Sequence, residues 1–270
     1  MPELPEVETV ARQIRQHYLN KRLLKIDALP CIIFQNIRAQ QFNKLLEGKV
    51  LQEIDRYGKF MIWNVEQLYP VFHLGMSGIF LREKSRSLYP RHIHISFQFE
   101  DDSWLYFQDV RKFSKIYLYH SPPDFPGLGI DVTRENFTLN NFKKLLNLTN
   151  VTIKAVLMDQ RLFAGIGNIY ANEILFDARV HPRRPAGSLN AGEVRRLYES
   201  TLKIIQAAIE RFGTSYTAYM TVEGTTGDNQ NFLRVYQKAG EPCPVCGSKI
   251  EKINLNSRST FFCKKCQKHH

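Results

Sequence analysis

The sequence predicts an α+β protein of several domains, in which an N-terminal helix and an antiparallel β-sandwich precede a helical domain and a C-terminal β-hairpin. Three observations support this order. The apolar spacing is helical at the start and changes, before residue 120, to short segments rich in aromatic and β-branched residues. It becomes helical again after a proline- and glycine-rich stretch, and two C-x-x-C pairs flank a short segment near the end.

The first helix is indicated by apolar side chains from Val7 to Tyr18 that recur every three or four residues. Short apolar segments separated by turn residues follow, which is typical of antiparallel strands in a sandwich or barrel. We therefore predict strands at 60–65, 92–99, 104–107 and 116–119.

The helical part begins after residues 121–129, whose prolines and glycines predict a linker. Helical spacing covers 137–146, 153–158, 168–178 and 191–212, and Gly213 closes the last of these segments. Glycine and polar residues from 213 to 231 predict a flexible loop. The resulting domains are 1–120, 131–238 and 239–270, with 121–130 as the linker.

The composition is that of a globular protein with a polyanionic partner. Hydrophobic residues make up 43% of the chain, which is enough to build a core. Of the formal net charge of +11, +8 falls on residues 131–270, which favours nucleic acid. No apolar run reaches the roughly 20 residues that span a bilayer, and the acidic start is unlike a signal peptide. We expect a cytoplasmic protein with no membrane partner.

Four of the five cysteines form two pairs, Cys243 with Cys246 and Cys263 with Cys266, on either side of a 16-residue segment. Two predicted strands, at 249–252 and 260–262, make this segment a hairpin that brings the four thiolates together. Four thiolates fill the tetrahedral coordination of zinc, so we predict one structural zinc ion. The alternatives are a redox function of the pairs and chance spacing.

The sequence also carries a prediction for two residues outside the cysteine pairs. Cys31, the fifth cysteine, is followed by three apolar residues and is expected to be an inert, buried thiol. Arg258 lies near the predicted turn of the hairpin, where an exposed guanidinium can enter a DNA groove. Its alternative is a solvated loop arginine.

Five sequence motifs lie in order along the whole chain: MPELPEVET at 1–9, HLGMSG at 73–78, DVRKF at 109–113, GIGNIYA at 165–171, and the cysteine tail. Together they resemble the bacterial formamidopyrimidine-DNA glycosylase family. Leu4 favours this branch over endonuclease VIII, which usually opens with Pro-Glu-Gly-Pro. The resemblance implies a bifunctional DNA glycosylase and AP lyase of base excision repair, a monomer that acts on damaged double-stranded DNA in the bacterial nucleoid.

The resemblance gives the N-terminus a catalytic role. Removal of Met1 exposes the secondary amine of Pro2, which attacks the sugar C1′, expels the damaged base and leaves an iminium that permits β- and δ-elimination. Glu3 resembles the family's general acid, Glu6 supports it, and Lys59 resembles a lysine that contacts the phosphate beside the lesion. Without the resemblance, the N-terminal residues would be an ordinary helix start and Lys59 a solvated lysine.

Four residues fall on further DNA-contacting positions of the family: His92, Lys154, Asn168 and Arg258. Asn168 begins a predicted helix after two glycines, where backbone amides can approach a phosphate. No βαβ unit surrounds these glycines, so a nucleotide-binding fold is not predicted. The resemblance implies instead a helix-two-turn-helix element followed by a zinc finger.

The resemblance also implies which side chains fill the gap left by a flipped base. Flipping costs a few kcal/mol of stacking. Met76 would act as an apolar wedge, Arg111 would bond the orphaned partner base, and Phe113 would stack in the gap. The alternatives are a core methionine and two same-side residues of a strand.

Three departures from the family pattern concern the choice of lesion. Ile93 stands where the family usually has aspartate, Ser114 replaces a glycine, and residues 232–238 differ from the usual Glu-Leu-x-Val-Tyr-Gly-Arg. Oxidised purines, meaning formamidopyrimidines and 8-oxoguanine, are the family expectation, and oxidised pyrimidines are the alternative. Two rival classes are a non-catalytic zinc-ribbon DNA-binding module and an RNA-binding translation factor, neither of which needs a proline amine beside Glu3.

Overall fold

The computed structural model describes residues 1–147, 149–216 and 219–269. The chain divides into two compact units: one contains Met1–Phe125 and Ile209–Gln230, and the other contains Pro126–Ala208 and Asn231–His270. The α+β prediction, with an N-terminal helix, an antiparallel sandwich, a helical part and a C-terminal hairpin, is confirmed. The boundaries of the four predicted segments stay a prediction.

The first unit contains two helices and two antiparallel four-stranded sheets. The helices are α1 (Leu4–Tyr18) and α2 (Ala39–Leu46). In spatial order, one sheet consists of β1 (Leu23–Ala28), β6 (Ile93–Phe99), β7 (Trp104–Asp109) and β5 (Gly78–Leu81). The other consists of β2 (Leu51–Tyr57), β3 (Phe60–Val65), β4 (Tyr69–His73) and β8 (Lys115–Tyr119).

An aromatic core joins the two sheets. Trp63 of β3 lies 5.2 Å from Phe97 and 5.9 Å from Phe80, measured between ring centroids, and Phe72 of β4 lies 5.3 Å from Phe80. All four side chains are fully buried. Large aromatic rings in tilted or edge-on contact contribute most of the apolar burial in such a core, and this packing fixes the faces of both sheets.

Helix α1 buries one stripe of side chains: Val7, Val10, Ala11, Ile14 and Tyr18. The spacing of three and four residues places them on the face that packs against the sandwich, as the sequence predicts. The helix begins with a capping box, in which Glu3 and Glu6 each accept a hydrogen bond from the other's backbone N–H. This cap holds the first turn of α1 in a fixed conformation.

The segment from Gly213 to Gln230 is a loop, as predicted, but its described residues are packed rather than lying loosely on the surface. Tyr219 and Val222 belong to the apolar core of the sandwich. The Val222 N–H donates to Gln13 Oε1 at 2.8 Å. The expectation of a flexible loop is wrong for this part, because the loop supplies apolar side chains to the core.

The second unit contains helices, a short parallel strand pair and the hairpin. Its elements are β9 (Ile130–Asp131), α3 (Leu139–Asn147), α4 (Ile153–Met158), β10 (Phe163–Ala164), α5 (Asn168–Asp177), the start of α6 (Ala191–Glu210), β11 (Glu251–Leu255) and β12 (Arg258–Phe262). No described helix of the protein has the length and apolarity that crossing a membrane requires.

The hairpin strands both lie nearer the turn than the sequence predicts. Asn256 and Ser257 have φ values of 50° and 58°, which gives a tight two-residue connection between β11 and β12. At the other end, Phe261 packs with Phe176 of α5, and its N–H donates to Asn172 Oδ1 at 2.8 Å. Helix α5 therefore holds the hairpin in place.

Candidate functional site

The N-terminal acids are buried at the start of α1. Glu3 is 3% exposed and Glu6 is 1% exposed, and Pro2 is buried beside them, whereas Met1 is half-exposed. The Glu3 N–H donates to Glu6 Oε2 at 2.7 Å. A buried carboxylate is costly unless it accepts hydrogen bonds. The Glu6 carboxylate accepts its first hydrogen bond from the backbone of its own helix turn.

The second partner of Glu6 comes from the 213–230 loop. The Thr214 N–H donates to Glu6 Oε1 at 2.8 Å. Gly213 has a φ of 74°, and a Cβ at this position would lie 2.8 Å from the same oxygen. Because a side chain at residue 213 would collide with Glu6, the close approach requires a glycine. The loop is therefore docked on the first turn of α1.

A buried phenol lies in the same region. Tyr219 is 5% exposed, and its hydroxyl donates to Phe212 O at 2.9 Å. Burial, together with the nearby Glu6 charge, raises the pKa of Tyr219 well above its usual value. The ring therefore stays neutral and serves the loop as a donor.

Lys59 is 6% exposed and lies in the two-residue turn between β2 and β3, where Gly58 has a φ of 56°. Arg56 supports this turn, since its Nη1 donates to Gly58 O at 3.0 Å. The Nε of Arg56 donates to Glu8 Oε2 of α1 at 2.9 Å. Burial alone would raise the pKa of Glu8, but Arg56 and Arg12 hold it below its usual value. The Glu8–Arg56 ion pair therefore connects the turn that contains Lys59 to helix α1, which begins at the N-terminal acids.

Sequence reasoning missed this Glu8–Arg56 pair, and it also missed His73. The Nδ1 of His73 accepts a hydrogen bond from the Gly75 N–H at 3.2 Å. Burial, followed by the charges of Lys59 and Lys115, lowers the pKa of His73 to about 4. The only sequence signal was that His73 opens the motif that contains Met76.

The three predicted gap-filling side chains are exposed. Met76 is 40% exposed, Phe113 is 50% exposed and Arg111 is exposed as well. The Arg111 guanidinium lies over the Phe113 ring at 4.7 Å. The alternative of a core methionine is therefore wrong, and Phe113 is not a core residue.

A buried aspartate fixes the backbone that presents these side chains. Asp109, which has no exposed surface, accepts hydrogen bonds from the Arg111 N–H at 3.1 Å, the Ser114 N–H at 2.8 Å and the Ser77 hydroxyl. A Cβ on Gly75 would lie 2.4 Å from the carbonyl oxygen of Phe113. The 74–78 and 109–114 loops are thus in close contact, and the Asp109 carboxylate accepts hydrogen bonds from both.

The serine that replaces a family glycine at residue 114 has a partner of its own. Its hydroxyl donates to Leu74 O at 3.0 Å. The other departure, Ile93, is 8% exposed at the start of β6. His92, which was predicted to contact DNA, precedes it at the end of a short 3-10 turn and is partly exposed. The Ser114 hydroxyl thus adds a hydrogen bond between the 109–114 and 74–78 loops.

An open cavity of about 320 Å³ lies beside these loops in the first unit. Its walls combine apolar groups with a few polar ones. The residues that line it are Ser77, Ile79, Leu88, Tyr89, Gln108, Val110, Arg111 and Met220. Concave apolar sites with a few polar groups are typical of ligand pockets.

In the second unit, two predicted DNA-contacting residues meet at one carbonyl. Lys154 Nζ and Asn168 Nδ2 both donate to Ser259 O, each at 3.1 Å. Lys154 Nζ also donates to Thr260 Oγ1 at 2.7 Å. Arg258, the residue before this carbonyl, is exposed at the first position of β12.

The position of Lys154 corrects the expectation of a surface contact. Its side chain is 1% exposed, because the ammonium is enclosed between α4 and the hairpin. In this arrangement Lys154 holds the strand that follows Arg258, and its charge does not face solvent. Asn168 begins α5 as predicted and is partly exposed.

The four paired cysteines converge as predicted. Their Sγ atoms all lie within 4.8 Å of one another, with 3.4 Å between Cys246 and Cys263 and 3.8 Å between Cys243 and Cys266. Tetrahedral zinc with bonds of about 2.3 Å separates its sulfur ligands by about 3.8 Å, so the set fits one zinc ion. Within the described ranges no other cluster of three or more histidine, cysteine or acidic side chains meets this condition.

The fifth cysteine is less buried than the sequence predicts. Cys31 is only partly buried, and it packs against the edge of the sandwich core. Within the apolar run Cys31–Phe34, Ile32 is exposed and Ile33 is fully buried in the sandwich core, so the run lies only partly at the surface.

Comparison with known proteins assigns all three parts of the chain. Residues 1–116 match the formamidopyrimidine-DNA glycosylase N-terminal domain, and residues 128–219 match the H2TH domain of the same proteins, so the predicted helix-two-turn-helix element is confirmed. Residues 240–268 match a zinc finger found in FPG and IleRS. This match and the cysteine cluster support one structural zinc ion.

The relatives cover the full length. A formamidopyrimidine-DNA glycosylase from Symbiobacterium thermophilum is 39% identical over 99% of this chain and 89% of its own, and one from Bacillus cereus is 37% identical over 99% of both chains. The crystal structure of the MutM (Fpg) protein from Thermus thermophilus has a TM-score of 0.87 at 36% identity over 98% of both chains. A complex of Lactococcus lactis Fpg with DNA containing an abasic site has a TM-score of 0.91 at 34% identity, over 99% of this chain and 100% of its own. This chain therefore belongs to the formamidopyrimidine-DNA glycosylase family.

Proposed function

We propose that this protein is a bifunctional DNA glycosylase and AP lyase of base excision repair, which removes oxidised purines from double-stranded DNA. The observation that carries the proposal is the pair of buried acids, Glu3 and Glu6, beside Pro2 at the start of α1. Solved relatives are bound to DNA that contains carbocyclic 8-oxo-G or an abasic site. Family membership and this local chemistry point to the same reaction.

The reaction begins at the amine of Pro2 once Met1 has been removed. The amine nitrogen forms a bond to C1′ of the damaged nucleotide, and the bond from C1′ to the base breaks. Opening of the sugar leaves an iminium between Pro2 and C1′. The iminium acidifies the C2′ proton, so loss of that proton expels the 3′ phosphate by β-elimination, and δ-elimination then expels the 5′ phosphate.

Glu3 is the group that we assign to proton transfer. Its position next to the nucleophile allows it to protonate the sugar ring oxygen as the ring opens. Glu6 is a positioning residue, since both of its oxygens accept backbone hydrogen bonds. Lys59 is assigned to the phosphate beside the lesion, on a turn that Arg56 supports.

Base flipping is assigned to the paired loops held by Asp109. Met76, Arg111 and Phe113 are exposed on loops that donate hydrogen bonds to Asp109, which suits side chains that enter a duplex. The neighbouring cavity of about 320 Å³ is a candidate for the extruded base. His92, Asn168 and Arg258 are assigned to DNA contacts, and Lys154 to positioning the strand behind Arg258.

The zinc ion has a structural role in this proposal. Cys243, Cys246, Cys263 and Cys266 would hold it, and four thiolates leave no coordination position for substrate. Bound zinc fixes the finger that carries Arg258. We further propose that the chain divides into the predicted segments 1–120, 121–130, 131–238 and 239–270, and that the protein acts as a monomer in the bacterial cytoplasm at the nucleoid.

The test is covalent trapping. Protein whose N-terminus is shown by mass spectrometry to be Pro2 is incubated with duplex DNA containing 8-oxoguanine or an abasic site and is reduced with borohydride. The proposal requires a covalent adduct through the iminium, which Pro2→Gly weakens. Glu3→Gln should suppress base excision and retain DNA binding. Absence of any adduct with the wild-type protein would exclude the lyase assignment and leave a DNA-binding module.

Oxidised pyrimidines are the second candidate substrate, favoured by one observation. A Lactococcus lactis Fpg that is 34% identical to this chain is solved with DNA containing an oxidised pyrimidine. Single-turnover excision of 8-oxoguanine, a formamidopyrimidine and an oxidised pyrimidine, each opposite the same partner base, ranks the candidates. Fastest excision of the pyrimidine would replace the purine assignment.

A further inference from the structure

A basic pocket of about 440 Å³ lies in the second unit, outside the residues assigned above. Cationic and imidazole groups dominate its wall: Arg183, Lys264, Lys268, His181 and His269 face a single carboxylate, Glu251. Arg183, Lys264 and Lys268 are exposed at the surface. Within the described residues, none of the three forms an ion pair. The pocket therefore carries a net positive charge, with three cationic side chains against the one carboxylate of Glu251.

His181 gives this pocket a fixed hydrogen-bond donor. The side chain is 6% exposed and lies edge-on to Phe262 and His269, at 4.7 Å and 4.8 Å between ring centroids. Its Nδ1 accepts a hydrogen bond from the Arg183 N–H at 3.2 Å. The hydrogen of the neutral ring therefore sits on Nε2, which has no partner in the described part of the chain.

The charge state of His181 agrees with this tautomer. Burial, followed by the charges of His269 and Arg183, lowers the pKa of His181 to about 4. The ring is neutral at pH 7 and donates through Nε2. One oriented N–H donor among three cations suits a phosphate group, which accepts charge-assisted hydrogen bonds from several directions.

The pocket lies on the same hairpin face as Arg258. Leu255 pairs with Arg258 and Glu251 pairs with Phe262, so side chains of 251, 253 and 255 share one face with those of 258, 260 and 262. Arg258 lies at one end of this face and the basic pocket at the other. Four residues of strand separate them, which corresponds to about 14 Å.

We propose that this pocket binds a backbone phosphate of the DNA duplex, a few nucleotides from the contact of Arg258. The inference rests on the proposed function, since it extends the DNA footprint along the finger. Thr260, midway along this face, is fully buried beneath Lys154, so a strand that contacts Arg258 would reach the exposed Arg183, Lys264 and Lys268 by passing outside the hairpin face. Their contribution is electrostatic and independent of sequence.

The test measures the salt dependence of binding to a duplex that carries an uncleavable abasic-site analogue. The double variant Arg183→Gln/Lys268→Gln should bind less tightly than the wild type. Loss of one phosphate contact lowers the slope of log affinity against log salt by about 0.9, so the affinity difference should shrink about threefold between 50 and 200 mM salt. Lys143→Gln/Lys144→Gln, which removes two exposed charges of α3, is the matched control and should leave the slope unchanged.

Trimming the duplex from each end then locates the contact. Removal of base pairs on one side should abolish the difference in DNA affinity between the wild type and the double variant. Removal of base pairs on the other side should leave that difference unchanged. An unchanged slope in a variant that retains its zinc would refute the phosphate site. Inhibition of the wild type by inorganic phosphate, at constant ionic strength and on the trimmed duplex only, would assign the pocket to a free anion instead. Trapping at an abasic site by the same proteins tests the proposed function separately.

Discussion

The Glu6 carboxylate accepts a hydrogen bond from the Thr214 N–H at 2.8 Å, which joins the first turn of α1 to the 213–230 loop across 208 residues of sequence. The other oxygen accepts from the Glu3 N–H. One carboxylate thus sets both the position of the proposed proton donor and the docking of the loop. A glutamine has one acceptor oxygen, so its amino group would face one of the two N–H donors.

We therefore predict that Glu6→Gln impairs base excision. An unsatisfied buried donor costs about 1–3 kcal/mol, which corresponds to a rate loss of about 5- to 150-fold if the cost falls on the active arrangement. Single-turnover excision on damaged duplex measures it. Glu53→Gln, at an exposed position of β2, is the control. Equal rates for Glu6→Gln and wild type would show that the loop docks without this carboxylate.

Gly213→Ala should disrupt the same junction for a steric reason. The new Cβ would lie 2.8 Å from Glu6 Oε1 and would also strain a backbone with a φ of 74°. The matched control is Gly48→Ala, where φ is 80° and no atom lies within 4 Å of the new Cβ. Both variants carry the left-handed backbone cost of about 1–2 kcal/mol. Denaturant unfolding and excision should show an additional loss only for Gly213→Ala, and matching losses would remove the clash from the explanation.

Sequence periodicity predicted the elements whose faces repeat regularly. Helix α1 and the alternating strand β3 were predicted correctly because one face of each is buried. The docking of the 213–230 loop was not predictable, since its polar composition is that of a surface loop and its anchors, Tyr219 and Val222, are isolated in the sequence. Loops that are ordered by distant contacts leave no periodic signal.

The candidate site was predictable where the chemistry requires particular residue types at a fixed spacing. The spacing of the cysteine pairs predicted that the four thiolates converge, and the N-terminal motif predicted a joint role for Pro2 and Glu3. The burial of Lys154 was not predictable, because the acceptors of its ammonium, on Ser259 and Thr260, lie more than 100 residues away. The Glu8–Arg56 pair was missed for the same reason.

Loss of one zinc ligand should unfold the finger without removing the N-terminal chemistry. Cys246→Ser leaves three thiolates, and structural zinc supplies about 10–16 kcal/mol in finger peptides. We expect loss of stoichiometric zinc and of tight DNA binding. Cys31→Ser, outside the cluster, should retain the metal. Metal analysis of purified, reduced protein gives the result, and full DNA binding by zinc-free protein would contradict the structural role.

Acid should destabilise the protein partly through His73. Its pKa is about 4 in the folded chain, against a usual value near 6.5, so the unfolded chain binds the proton more readily. The contribution of the neutral His73 ring to the free energy of unfolding, at most about 3 kcal/mol, is fully present above pH 6.5. It is lost as the pH falls toward 4. His73→Asn should flatten this part of the pH profile, measured by denaturant unfolding. His120→Asn, at an exposed position, should not. An unchanged slope in His73→Asn would exclude His73 as the group responsible.

The wedge assignment is tested by separating stability from flipping. Phe113 is half-exposed and contacts the Arg111 guanidinium at 4.7 Å, an exposed interaction worth about 0.5–1 kcal/mol. Phe113→Ala should therefore change the free energy of unfolding by no more than about 1 kcal/mol. The comparison is Phe72→Ala in the aromatic core, where truncation costs about 3–5 kcal/mol.

The kinetic readout of the same variant is a ratio of two rates. Excision of a damaged base from paired DNA requires unstacking of a few kcal/mol, whereas lyase action at an abasic site has no base to unstack. Phe113→Ala should slow the first reaction more than the second, because only the first depends on filling the gap. Unfolding curves are recorded for each protein alongside the rates. If both reactions slow equally and the melting temperature falls as it does for Phe72→Ala, Phe113 supports the fold and does not replace the flipped base.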